Sequence, residues 1–235
     1  FFGGEGYGLR VNLLTEWDGS TATPRVPRHG PVPRLAPAFE RSIGGAVLFG
    51  GFNVHNRSFS GTWPWTGQRW MPRGTTRRPS ARSAMGTAFD SVRGRTLVFG
   101  GDDGARTSNE LWEWDGQDWR LLSASGPSPR RFASTVYDQA RRRLIVCGGT
   151  DTHWTSVHDG WEFDGHSWTP LTGTRTPPKY AIGMCYDSKR QRPVLVAGGA
   201  LWTFDGQRWS KIYQHTTRLR TPIVYDPDRD LITLG

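Results

Sequence analysis

The dipeptide Gly-Gly recurs periodically at 3–4, 50–51, 100–101, 148–149 and 198–199, with one further pair at 44–45 out of that register, and the 235-residue chain stops at Gly235, where the next periodic pair would begin. The spacings are 47, 50, 48, 50 and 37 residues, a period that marks a repeated supersecondary unit. An apolar run precedes each periodic pair: residues 47–49, 97–99, 144–147 and 194–197, with 231–234 leading into Gly235. These runs are buried strands, ended by glycines free to take positive φ.

Upstream of each such run lies a shorter one that closes on an acid, at Glu40, Asp90, Asp138, Asp187 and Asp226. Downstream comes an aromatic motif ending in Asp-Gly at Gly19, Gly116, Gly165 and Gly206, and in Thr-Gly at Gly67. Three residues further on stand Trp70, Trp119, Trp168 and Trp209, with Ala22 in the first unit. Each unit thus contains four strands: a (ending on the acid), b (ending at Gly-Gly), c (ending at Asp-Gly) and d (opening with Trp). Asp-Gly between c and d is a tight-hairpin signal. Four short strands per period of about 50 residues is the pattern of a propeller blade.

Gly-Gly after an apolar strand, then an aromatic-Asp-Gly and a spaced Trp, resembles the kelch repeat, in the variant of bacterial kelch proteins and of the central propeller of galactose oxidase. The Gly-His that opens a WD40 unit is missing. The resemblance covers essentially the whole chain. It implies an all-β fold: a kelch-type β-propeller of four-stranded antiparallel blades, one domain over 1–235, with units near 1–50, 51–100, 101–148, 149–198 and 199–235. Both ends read as strand b, so the five units are expected to be a fragment of a six- or seven-bladed ring; a closed five-bladed ring stays open as the alternative.

Twelve tryptophans are many for 235 residues, and eleven of them obey the repeat. Strand c places aromatics at i and i+2, such as Trp112/Trp114, Trp161/Phe163 and Trp202/Phe204, which share one face of a strand. The same placement in successive units is what packing one twisted sheet on the next requires, so these rings are expected to be scaffold. Trp154 alone breaks the pattern. The a–b turns place Arg three residues after the strand-a acid at 93, 141, 190 and 229, an arrangement of turn-stabilising pairs on a solvated edge. Much of the +9 net charge is thereby expected to be spread around the rim, which argues against a nucleic-acid stripe. Cys147 and Cys185 lie in apolar runs and read as small buried hydrophobes. No apolar segment has the length to span a bilayer. The chain opens at Phe1 without a signal-peptide pattern, so any targeting segment is expected outside this sequence.

Variation is concentrated in the b–c loops, 51–61, 101–108 and 149–160, while the corresponding loop of the last unit has shrunk to Ala200. Variable loops on a repeated scaffold are where binding specificity resides. They share a face with the d–a connections, where a basic residue stands eight positions before the strand-a acid: Arg82, Arg130, Lys179 and Arg218. The second unit has Val32 there and Arg34 nearby. The resemblance implies that such cations, opening the innermost strands, approach the channel mouth and can grip acidic ligands; pairing with loop acids or backbone carbonyls is the competing reading. Candidate ligand-binding residues are these four cations together with Asn53, His55, Asp102, Arg106, His153, Trp154 and His158. The histidines, with Asp102, Asp103, Asp151 and Asp159, have no compact metal-ligand spacing.

The function expected is a non-catalytic binding module that presents its b–c and d–a loops to a protein or glycan partner of acidic character, with no cofactor. The alternative is the propeller part of a carbohydrate-active or galactose-oxidase-like enzyme whose catalytic residues lie partly outside this segment. Nothing in the residues fixes a location; the resemblance leans towards a secreted or cell-surface bacterial protein.

Overall fold

A computed structural model describes residues 5–6, 9–10, 14–17, 21–25, 31, 38–42, 45–53, 55, 57–214 and 223–234. The architecture is all-β. Three complete four-stranded antiparallel sheets follow one another in the chain, each ordered a-b-c-d. The first consists of Gly86–Asp90, Arg95–Phe99, Leu111–Trp114 and Trp119–Ser123. Next come Ser134–Asp138, Arg143–Cys147, Gly160–Phe163 and Trp168–Pro170. The third is Ala181–Asp187, Arg192–Ala197, Ala200–Phe204 and Trp209–Gln214.

Ahead of these, Ala38–Ser42, Gly45–Phe49 and Thr62–Trp65 form strands a, b and c of a further sheet. Its strand d is reduced to the bridges Trp65–Trp70 and Thr62–Arg73. The hairpins Leu14–Trp17/Ala22–Arg25 and Ile223–Asp226/Leu231–Leu234 supply a c–d pair before it and an a–b pair at the far end. Strand a of each sheet packs against strand a of the next, from 38–42 through 86–90, 134–138 and 181–187 to 223–226. This side-by-side row of first strands, with the other strands fanning outward, is a propeller-like arrangement.

The strand-opening tryptophans fill the wedges between sheets. Trp119 meets Trp114 of its own sheet at 5.3 Å and Phe49 of the preceding sheet at 5.1 Å. Trp168 repeats this with Phe163 at 5.0 Å and Phe99 at 5.5 Å. Trp70, Trp114, Trp119, Phe163, Phe204 and Trp209 are all buried. Of the two strand-c aromatics, the second is the wedge, whereas the first (Trp112, Trp161 or Trp202) is half-buried.

Two local features explain the repeated glycines and aspartates. Gly100 has φ +70°, and a Cβ on it would lie 2.5 Å from the Arg130 carbonyl oxygen. The adjacent Gly101 amide donates to that same oxygen at 2.9 Å. Gly-Gly therefore lets the chain leading into the following sheet close against the end of strand b. At the c–d hairpin the loop has four residues, 115–118, between the paired Trp114 and Trp119. Only the glycine takes positive φ there; Asp115, Asp164 and Asp205 instead accept two backbone amides each. The expected a–b pairs are present at Asp90–Arg93, Asp138–Arg141, Asp187–Arg190 and Asp226–Arg229. The first three carboxylates are buried rather than solvated, because they also anchor the turn amides.

Candidate functional site

Arg82 and Arg130 are buried, and each spends all five guanidinium donors inside the protein. From Arg130, Nε donates to the Ser128 carbonyl at 2.9 Å and Nη2 to Ser128 Oγ at 2.8 Å. Its Nη1 donates to the Gly148 carbonyl at 3.2 Å, and the two terminal nitrogens clasp the Asp159 carboxylate. Arg82 repeats the scheme with the Ser80 carbonyl, Ser80 Oγ, the Gly100 carbonyl, Ser108 Oγ and Glu110. The acid in each case also accepts the indole N–H two residues on, Trp112 to Glu110 at 2.9 Å and Trp161 to Asp159 at 2.8 Å.

The result is a latch: Ser-x-Arg at the start of a sheet, Gly-Gly at the end of strand b, and acid-x-Trp at the start of strand c. Burial pushes the Asp159 carboxyl up, but the hydrogen bonds from Arg130 and Trp161 outweigh it and hold the group below the usual carboxylate range. With every donor committed, neither arginine has one left for a ligand.

Where the acid is missing the latch is missing too. Ala200 stands two before Trp202, whose indole N–H turns to the Ala197 carbonyl at 3.3 Å. Lys179 is exposed on this sheet, and a bulge between Ala181 and Gly183 moves its lead-in out of step with the others. Arg218, Val32 and Arg34 lie outside the described residues.

The b–c loops fold back as small hairpins, bridged at Phe52–Ser58, Asp102–Thr107 and Thr150–Ser156. Asn53, Asp103 and Asp151 hold their tips: Asn53 Oδ1 accepts the amides of His55 and Arg57, and Asp151 Oδ1 accepts those of His153 and Thr155. Asn53 is therefore a loop anchor, while His55, Arg106 and His153 are exposed around it. Among the described residues no group of three or more His, Cys, Asp or Glu side chains is placed to hold a metal ion. Burial pushes the Cys185 thiol up to about 12 and the Cys147 thiol higher still, so both stay protonated and inert.

One place on this face is neither latch nor anchor. A cavity of about 340 Å³ opens between the loops, lined by the polar side chains of Ser58, Ser83, Asp102 and Arg131 and by the rings of Phe52, Phe132 and Trp154. Asp102 is buried; it accepts the Gly104 amide at 2.7 Å and Arg131 Nη1 at 2.9 Å. Arg131 is 8% exposed, and its Nε and Nη2 donate to no protein acceptor. Its guanidinium carbon lies 3.4 Å from the centroid of the Trp154 ring, a cation–π contact. Phe132, 50% exposed, sits 6.2 Å from Trp154, which is itself 66% exposed. Trp154, Phe132 and Tyr180 all have φ near +60°, rare for bulky side chains. His158 meets the edge of Tyr180 at 4.9 Å.

Of the sequence candidates, the structure thus brings Asp102 and Trp154 together and puts His158 beside Tyr180. It leaves His55, Arg106 and His153 exposed on the same loops. Arg131 and Phe132 were not singled out by the repeat, although their signal was there: a second Arg and a ring where the preceding unit has Ser83 and Ala84. Compared with known proteins, the chain matches no family model and no curated protein sequence.

Proposed function

We propose that the chain is a non-catalytic recognition module of the kelch-repeat type, which captures a protein or glycan partner with the face formed by its b–c and d–a loops. The observation that carries this reading is the contrast between latched sheets built alike and one irregular aromatic cavity between them. That cavity combines what recognition sites use: exposed rings, an unfilled volume and a few convergent polar groups. The preference for an acidic partner no longer rests on Arg82 and Arg130. Arg131 takes their place: its Nε and Nη2 meet no protein acceptor, beside the Asp102 carboxylate at the cavity wall.

Immobilised protein screened on glycan and peptide arrays tests the reading. The variant Phe132→Ser/Trp154→Ser should lose the captured species, while substitutions on the opposite face, His166→Ser/Gln207→Ser, should keep them. Equal capture by both variants would sink the assignment of the loop face.

A further inference from the structure

The charge of the chain is not shared among the sheets. Between Glu40 and Asp90 there is no acidic residue, and seven arginines stand there, at 41, 57, 69, 73, 77, 78 and 82. That stretch contributes +7 of the +9 net charge; the remaining 23 basic and 21 acidic residues leave only +2 for everything else. Repetition was expected to distribute the charge, but this unit departs from the others. Arg82 is spent on its latch, and Arg57 belongs to the loop face. Arg69, Arg73, Arg77 and Arg78 follow the outermost, d-position segment of the 38–73 sheet, all exposed and none in an ion pair among the described residues.

The groove beside them is formed with the neighbouring sheet. One cavity of about 460 Å³ lies between Arg73 and the 117–118 turn, and another of about 530 Å³ lies between Arg77, Arg78, Trp112 and Leu121. Both are lined by Thr76, so they adjoin at that residue. The hydroxyl of Thr75 in this groove is buried and has no hydrogen-bond partner. Among the described residues lining the groove the one acid, Asp118, is occupied by the Arg77 amide at 3.2 Å.

We infer that this rim is a second binding site, for a linear anionic polysaccharide bearing carboxylate or sulfate groups. Arginine forks match such oxyanions two bonds at a time, and every cation here is arginine. The adjoining cavities suit an extended polymer, with Leu121 for the apolar edge of a sugar ring. Single-stranded nucleic acid is disfavoured because it requires exposed rings on which bases stack. Among the described residues the only aromatic lining the groove, Trp112, is half-buried and tied by its N–H to Glu110. The site lies along the outer sheet edge beside the 117–118 turn, shares no lining residue with the aromatic cavity, and stands or falls independently of the function proposed above.

Binding of the whole chain to polygalacturonate and to heparin, measured beside neutral dextran and a single-stranded DNA of matched charge, tests the inference. The exposed triple variant Arg73→Ser/Arg77→Ser/Arg78→Ser should weaken polysaccharide binding by more than about tenfold. Its control, Arg142→Ser/Arg208→Ser/Arg229→Ser, removes the same charge elsewhere and should change it by less than about twofold. The Phe132→Ser/Trp154→Ser variant should bind the polysaccharides unchanged. Equal losses in the two arginine triples would show a general charge effect and overturn the site. So would failure to bind either polyanion, or tighter binding of the DNA.

Discussion

Arg130 and Arg131 are neighbours in the chain with opposite roles. The first belongs to a region repeated from sheet to sheet, where every donor meets a serine, a carbonyl or an acid. The second belongs to a region found once, where one guanidinium nitrogen meets Asp102 and the other two meet no acceptor in the protein. The same side chain is structural when its surroundings are complete and available when they are not. Basic residues opening a strand therefore do not by themselves mark a binding ring; the number of donors left over does.

Substitutions on the two sides should separate stability from capture. The largest loss belongs to the wedge: Trp114→Ala should cost about 3–5 kcal/mol in urea unfolding, since it empties a fully buried ring site. Arg130→Met comes next, at about 2–4 kcal/mol by the same measurement, because Asp159 and the Gly148 carbonyl lose their partner. The figure is held below that for a wholly buried pair because the Asp159 side chain is 43% exposed.

The latch also predicts a pH dependence. The folded-state pKa of Asp159 lies below its unfolded value, so its stabilisation is fully present above the ordinary carboxylate range and is lost as pH falls through the folded value. Between pH 5 and pH 3 the wild type should therefore lose more stability than Arg130→Met, in which Asp159 has no arginine. Parallel losses would show that the pair contributes nothing. The smallest effect is expected at Trp154→Gly, within about 0.5 kcal/mol of the wild type, since the ring is mostly exposed and glycine accepts φ +62°.

The strands, their order and the buried wedge rings could be read from the sequence because they repeat, and repetition makes a weak local signal strong. Trp119, Trp168 and Trp209 occur at one offset from Asp-Gly and perform one packing task. The latch was harder to read because its halves are 28 or 29 residues apart, Arg82 to Glu110 and Arg130 to Asp159. Only the paired loss of both halves, Val32 with Gly61 in one unit and an exposed Lys179 with Ala200 in another, hints at the link. Trp154 was visible as the one tryptophan out of step. Its partners were not, because a cation–π contact between a b–c loop and the lead-in to its own sheet leaves no spacing rule in the chain. The rim charge was legible in composition alone, but it was hidden by averaging the arginines over five units.

The most direct test sets Arg130→Met beside Arg131→Met, with the urea midpoint and the capture of the array-selected partner read from the same preparations. Arg130→Met should lower the midpoint and leave capture per folded molecule intact. Arg131→Met, which strands the buried Asp102 carboxylate and removes the cation–π contact to Trp154, should destabilise by a comparable amount, about 2–4 kcal/mol, and abolish capture per folded molecule. Undiminished capture by Arg131→Met, or loss of capture by folded Arg130→Met, would contradict the division between latch and site.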